Sequence, residues 1–276
     1  MKKEAIDKLP KWINDMDSTH KLVLSDDIDS LFSCVLLQKQ FNCEVAFFYD
    51  FEAMYGLTRD CIKTERDKII GVDIALEGAN KTFDNHVVKL HKSDYYNELS
   101  VNLNILENIT QFNYYDKYAG STVLTILSIY NMLKVNELND EQLMYIACID
   151  SWYLGYYGGY KAFYKYMDIL ELDVFMDLFK RKKKIDFDNF KRLNFMNDKI
   201  RVYDSEVLFP QRMVKKVSDL FPMLDFNLPR LQIHMKKRFN IPNDISFVKP
   251  ITKKDIGMNL FSFALTRKNN IKVTNK

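Results

Sequence analysis

The sequence predicts an α/β protein with a mostly parallel sheet, helices on both faces, and a smaller α+β C-terminal domain. Three observations carry this. Short apolar runs alternate with amphipathic stretches through the first 180 residues, the βα rhythm of a parallel sheet. Acidic residues stand directly after three of those runs. The charge also divides: residues 1–160 hold 15 basic and 24 acidic residues, and 161–276 hold 25 and 13, so the formal +3 conceals −9 and +12. An acidic half joined to a basic half suits one part that holds cations and another that holds an anion.

The elements follow in order. Residues 21–25 (KLVLS) predict a first strand, and 28–40 a helix with Leu31, Phe32, Val35 and Leu36 at helical spacing. Residues 45–49 (VAFFY) and 68–72 (KIIGV) predict two more strands, and 81–83 a short one that runs into Asp84. A helix is expected at 121–134 from Val123, Leu124, Leu127 and Tyr130. The next, 141–153, is apolar nearly all round, the pattern of a buried helix. A third, 160–180, carries the stripe Phe163, Met167, Leu170, Val174 and Leu178. The run KRKKK at 180–184 suits a solvated helix end, where cations complement the backbone dipole. It sets the expected domains at 1–190 and 191–276. Beyond it, strands at 200–203, 261–266 and 271–273 surround a helical middle, with Asn269 and Asn270 suited to the last turn.

Composition removes several classes. With 47% hydrophobic residues, 20 Phe and 16 Tyr, the chain can bury a core and is not of the disordered type. Cys34, Cys43, Cys61 and Cys148 lack metal-knuckle or redox spacing, which suits thiols in a reducing compartment. The start, MKKEAIDKLPKW, lacks a signal-peptide apolar stretch, and no window reaches the ~18 apolar residues of a membrane span. The expectation is a cytoplasmic protein without membrane association.

The acidic residues carry the chemistry. Asp26-Asp27-Ile28-Asp29 follow the first strand, Asp73 the third, and Asp84-Asn85-His86 the fourth. In an open parallel sheet, ligands bind at the carboxyl ends of the strands. A single Asp there also serves as a helix N-cap, a role that fits Asp26. Converging carboxylates, however, repel unless a cation neutralises them, and oxygen and imidazole donors suit Mn²⁺ or Mg²⁺. Asp150 ends the buried run 143–149, where a charge must be paired, hydrogen-bonded or coordinated.

Asp-Asp-Ile-Asp-Ser at 26–30, Gly-Val-Asp at 71–73, Asp-Asn-His at 84–86 and Cys-Ile-Asp at 148–150 resemble, in order and approximate spacing, the four motifs of DHH-family phosphoesterases. Lys117-Tyr118-Ala119-Gly120-Ser121-Thr122 is similar to the stretch those proteins carry between the third and fourth motifs. The first motif is closest to the RecJ-like branch, and the likeness covers about residues 20–160. The resemblance implies a site for two Mn²⁺ ions (Mg²⁺ as a substitute): Asp27 on one, Asp29 and Asp150 on the other, and Asp73 on both. It implies that metal-activated water hydrolyses a phosphodiester, with Asp73 and His86 as the catalytic pair. Gly120, Ser121 and Thr122 would meet phosphate oxygens. Arg267, at the end of a strand similar to one in the family's substrate domain, would be a phosphate or base contact.

Three departures stand out. Asn85 replaces the first histidine of the third motif, so either its amide or His86 completes the metal shell. Val23 stands where a histidine often precedes the first motif, and no Gly-rich segment follows Arg267. The expected substrate is a nucleotide, short oligonucleotide or single strand. Hydrolysis of pyrophosphate, polyphosphate or a nucleotide monoester is the alternative within enzymes, and a non-catalytic nucleotide or nucleic-acid binding module the alternative outside them. Lys236-Lys237-Arg238 and Lys253-Lys254 are candidate phosphate contacts or plain solvated clusters, and Phe239 and Phe247 are candidate base stackers or core residues. His20 and His91 read as satisfied core or surface histidines.

Overall fold

A computed structural model describes residues 1–226, 228, 231–257 and 259–275, with the side chains of 241–243 left aside. Its strands are β1 (Lys21–Leu24), β2 (Glu44–Tyr49), β3 (Ala53–Gly56), β4 (Ile69–Val72), β5 (Lys81–Phe83), β6 (Ser100–Val101), β7 (Arg201–Tyr203), β8 (Glu206–Leu208), β9 (Leu231–Gln232), β10 (Met235–Arg238), β11 (Asn240–Ser246), β12 (Leu260–Arg267) and β13 (Asn270–Asn275). The α/β class holds: a seven-stranded, mostly parallel sheet accompanies the helices, with small antiparallel sheets toward the C-terminal region.

The chain divides into two compact units that interleave in sequence. One comprises 9–25, 43–118 and 233–276, the other 1–8, 26–42 and 119–232. Residues 191–232 thus group with 119–190, while 233–276 join the unit that holds the large sheet. The boundary expected near residue 190 does not coincide with a unit boundary.

In the sheet unit the strand order is β10-β3-β2-β1-β4-β5-β6. β2, β1, β4, β5 and β6 run parallel, and β3 and β10 extend the edge antiparallel. Buried runs such as Leu22–Val23–Leu24 and Ala46–Phe47–Phe48 fit strands covered on both faces. The order reverses at β1, which lies between β2 and β4, so the carboxyl ends of β1 and β4 flank a topological switch point. The edge was not legible as a strand. Lys236, Lys237 and Arg238 are exposed on β10, with Lys236 over the Tyr55 ring and Lys237 over the Phe239 ring. Charges on an edge strand discourage pairing with other chains.

The same unit holds a second sheet, β11-β13-β12. The expected strands at 261–266 and 271–273 are the hairpin β12–β13, turning through Lys268 and Asn269. Its inner face (Phe263, Leu265, Ile271, Val273) packs with Val87, Leu90, Ile109 and Tyr114. Phe239 stacks on Phe261 at 4.2 Å and meets Tyr49 edge-on, and Phe247 packs against the hairpin core, so both are packing residues. Lys253, a candidate phosphate contact, instead points into the interior, where its ammonium meets Glu77 at 2.5 Å.

The other unit is mainly helical. Its longest helix, Ile28–Phe41, is buried over 28–37, so it has no solvated stripe until its last turn. The helix expected at 121–134 spans Thr122–Tyr130, ending where Asn131 turns left-handed. That expected at 141–153 ends at Cys148 and continues as a 3-10 turn, Ile149–Ser151. The expected helix 160–180 is two, Lys161–Leu170 and Val174–Arg181. Glu171 breaks it at φ 54°, and the bend lets Phe163, Met167 and Leu170 on one segment and Phe175, Leu178 and Phe179 on the next all become buried. The basic run behaves as a solvated helix junction in which Arg181 and Lys182 pair with Asp140. The expected helical middle contains the helix Gln211–Leu220, and Phe221 and Phe226 from the chain beyond it meet Phe32 edge-on. β7, β8 and β9 complete this unit.

Candidate metal centre

In the sheet unit, three neighbouring parallel strands end in polar side chains. Asp73 follows β4, Asp84-Asn85-His86 follow β5, and Asn102 follows β6. Gly71 makes the first of these ends possible. A Cβ there would come within 2.7 Å of the Leu76 side chain and 2.9 Å of Thr82 Oγ1. With glycine in place, Thr82 Oγ1 donates to Ile74 O at 2.7 Å, tying the turn beyond β4 to β5. Asp73 sits at the start of that turn in the left-handed region, φ 58°, with its N–H donating to Phe83 O at 2.8 Å.

Asp73, Asp84 and His86 each offer a ligand atom, and these atoms lie within 4.8 Å of one another. Oxygen ligands of a small dication such as Mg²⁺ sit at ~2.1 Å, so ligands on opposite sides of the ion are ~4.2 Å apart. Two carboxylates and one imidazole over this span therefore fit a divalent ion with little closure. The donor set suits Mn²⁺ or Mg²⁺.

Asp84 has a second task. Its Oδ1 lies 2.7 Å from His86 Nδ1, which as the neighbour of a carboxylate carries the proton and donates. That tautomer leaves Nε2 as the lone-pair nitrogen. Asp84 Oδ2 accepts from Asn102 Nδ2 at 2.8 Å, and the same amide donates to His86 O. Asp84 is fully buried and His86 is about one-third exposed, so the imidazole reaches outward from a buried brace. Asn104 extends the brace, donating from Nδ2 to Asn85 O and Tyr118 O and accepting from the Tyr118 N–H. Asn85 is itself buried. Asp84 was expected as a converging strand-end carboxylate but given no ligand role, and Asn102 was not expected at all. A strand-end rule applied to every strand would have found Asn102, but the two-residue β6 is too short to read from sequence.

The remaining expected residues, apart from Arg267, lie in the helical unit. The N-cap of Ile28–Phe41 is Asp27, not Asp26 as expected, its Oδ1 accepting from the N–H groups of Asp29 and Ser30. Its Oδ2 accepts from Lys199 Nζ at 3.1 Å, and Asp26 Oδ1 accepts from the same ammonium at 2.9 Å. Burial opposes the charge on Lys199, but Asp27 and Asp26 outweigh it and raise its pKa above the ordinary lysine range. Asp29 is buried. Its two oxygens accept from the N–H groups of Thr122 (2.8 Å) and Val123 (2.9 Å) at the start of the helix Thr122–Tyr130. A carboxylate complements a helix N-terminus, so an anion position expected for substrate phosphate is served by the protein's own carboxylate. Ser121 caps that helix, accepting from Leu124 N–H, and Gly120 is buried beside it. Asp150 is exposed rather than set in the buried run as expected; it and Ser151 are consecutive left-handed residues, φ 53° and 58°, in the turn Ile149–Ser151, which neighbours the helix Ile28–Phe41.

Arg267 lies exposed at the end of β12 in the sheet unit. His20 is a satisfied core histidine between Asp17 and Lys81, and His91 is a surface one. The four cysteines are free and buried. Among the described residues, no helix is long and apolar enough to cross a membrane. Compared with protein-family models, with curated proteins and with solved structures, the chain matches none.

Proposed function

We propose that this chain is a divalent-metal-dependent phosphoesterase of the DHH type that hydrolyses phosphodiester bonds in nucleotides, short oligonucleotides or single strands. One observation carries the reading: two carboxylates and a carboxylate-braced imidazole, within 4.8 Å of one another, at the carboxyl ends of adjacent parallel strands. Asp73, Asp84 and His86 hold one ion, which when bound supplies Lewis acidity toward water and phosphoryl oxygens. Asp84 keeps the His86 proton on Nδ1 and so fixes the direction of Nε2. Asp27 and Asp150 are the proposed ligands of a second ion, with Lys199 as the cation that balances Asp27 without it, while Asp29 is engaged by the N–H groups of Thr122 and Val123. Hydrolysis adds water across the P–O bond: its oxygen joins phosphorus and its proton leaves with the departing oxygen.

The test is a substrate panel with Mn²⁺: bis(p-nitrophenyl) phosphate, oligonucleotides, cyclic dinucleotides and pyrophosphate. The expected result is release of product from diesters, abolished by EDTA and by Asp73→Ala. A preparation that releases nothing, or an Asp73→Ala variant as active as the parent, overturns the proposal. Cleavage confined to pyrophosphate moves the chain to the phosphoanhydride class.

A further inference from the structure

We propose that the 3-10 turn Gln111–Asp116 and the tip of the β12–β13 hairpin form a stacking platform for single-stranded nucleic acid. The inference extends the phosphoesterase reading by naming where the strand is held, and it rests on that reading for its purpose but not for its test.

Large aromatic rings are ordinarily buried, yet Phe112 and Tyr115, three residues apart on this turn, are 60% and 71% exposed. They are not on a loose loop. Gln111 Nε2 donates to Ile251 O at 3.1 Å, and the buried Tyr114 donates from its hydroxyl to Thr266 O at 2.8 Å. Thr110 and Asn113 add a capping box. The turn is thus pinned ahead of each exposed ring, at Gln111 and at Tyr114, which lowers the entropic cost of binding there.

Cations line this edge. Lys268 Nζ sits 5.5 Å from the centre of the Tyr115 ring, with Arg267 next to it in the chain. His91 meets Phe112 edge-on at 5.9 Å, with Lys92 adjacent. Among the described residues, neither Lys92, Arg267 nor Lys268 has a carboxylate within ion-pair distance. Asp116 is the one carboxylate on the turn itself. Exposed rings beside cations match a partner that alternates flat bases with phosphates. A duplex hides its base faces, so the match is to a single strand.

The platform also leads to the metal cluster within the same unit. Leu265 N–H donates to Val87 O at 2.8 Å, so Arg267 lies two residues from a strand contact adjoining His86. Asn104 joins Asn85 to Tyr118, two residues beyond the turn. The platform and the metal cluster thus share one unit and are joined by these two connections.

The test is fluorescence anisotropy with a labelled oligothymidylate of about 12 nucleotides, in EDTA, so that no hydrolysis enters. Stacking losses per base predict that Tyr115→Ala and Phe112→Ala each weaken binding about 5- to 150-fold, while Tyr115→Trp retains it. The Arg267→Ala/Lys268→Ala pair should lower the slope of log affinity against log salt by about 1.4. Thermal unfolding checks that each variant is folded. Absence of binding by the parent protein, alanine variants that bind like the parent, or equal affinity for a duplex of the same length overturns the platform. Because binding is read without metal, failure of the diesterase assay overturns the phosphoesterase reading alone.

Discussion

Lys253→Met is the most informative change to stability. The Lys253 ammonium is fully buried, 2.5 Å from Glu77 Oε1, donating also to Tyr95 O at 3.0 Å and lying 4.7 Å from the Tyr95 and Phe263 ring centres. Glu77 is 3% exposed, and its Oε2 has no partner among the described residues. Removing the ammonium leaves a carboxylate buried without compensation, which costs about 3–5 kcal/mol. At ~2–4 °C per kcal/mol for a chain this long, the melting temperature falls by about 6–20 °C. Burial raises the Glu77 carboxyl above its ordinary value, with Lys253 pulling it back, and burial lowers Lys253, with Glu77 opposing. A carboxyl with a raised folded pKa holds its proton in the folded state after the unfolded chain has released it, so stability falls as pH rises through that interval. Without Lys253 the interval widens, so the deficit of Lys253→Met is smallest at acid pH and grows toward neutrality. Glu77→Leu/Lys253→Met removes both charges and recovers most of the loss. Thermal and urea unfolding, followed by circular dichroism from acid to neutral pH, checks all three statements. A single variant within about 1 kcal/mol of the parent, or a double variant as unstable as the sum of the singles, refutes the reasoning.

Four other outcomes are expected. Asn102→Ala removes the brace on Asp84 and should weaken Mn²⁺ binding about 10- to 100-fold, read by calorimetry. Asp73→Gly should be at least as stable as the parent in EDTA, since glycine suits φ 58°, while losing Mn²⁺ affinity in the same titration. Lys199→Met frees Asp26 and Asp27 of their ammonium and should raise affinity for a second Mn²⁺; unchanged binding would count against Asp27 as a ligand. Burial pushes the Cys43 thiol up to about 11 and the Tyr49 hydroxyl and Cys148 thiol to about 12, so these protons are held longer by the folded chain. The stability they contribute is complete below about pH 9 and lost as pH climbs through 11 and 12, so melting temperatures should fall over that alkaline range.

Local pattern was enough wherever local chemistry decides the outcome. β1, β2, β4 and β5 are short apolar runs, and the helices at 28 and 122 begin at Asp27 and Ser121, whose side chains cap them. The acidic strand ends were legible for the same reason. What was hidden depends on partners far along the chain. β6 is two residues long and is a strand because β5 lies beside it. β10 reads as a basic patch because an edge strand needs no apolar face, and only pairing with β3 makes it a strand. Lys253 looks like half of a surface lysine pair, and its burial depends on Glu77, 176 residues away. Asp29 looks free to bind metal, but the amides it accepts from lie more than ninety residues further on. The brace from Asn102 through Asp84 to His86 is likewise a product of three strand ends meeting.

The turn after β4 explains part of Asp73 and leaves the rest to be accounted for. Left-handed backbone at φ 58° favours glycine and tolerates asparagine or aspartate. Elsewhere helices end in that conformation at Asn42, Asn131 and Gly257, and at Glu171, whose side chain is exposed. Asparagine would serve at position 73 without bringing a charge. A carboxylate there lies, with 5% exposure, within 4.8 Å of another from Asp84. At an effective dielectric of ~20, two negative charges that close repel by at least about 3 kcal/mol. The left-handed backbone alone does not call for that charge, and Asp84 also serves His86 and Asn102. A dication between the two carboxylates turns the repulsion into attraction. The charge at position 73, which the turn does not need, is thus the residue-level reason to expect metal at this site.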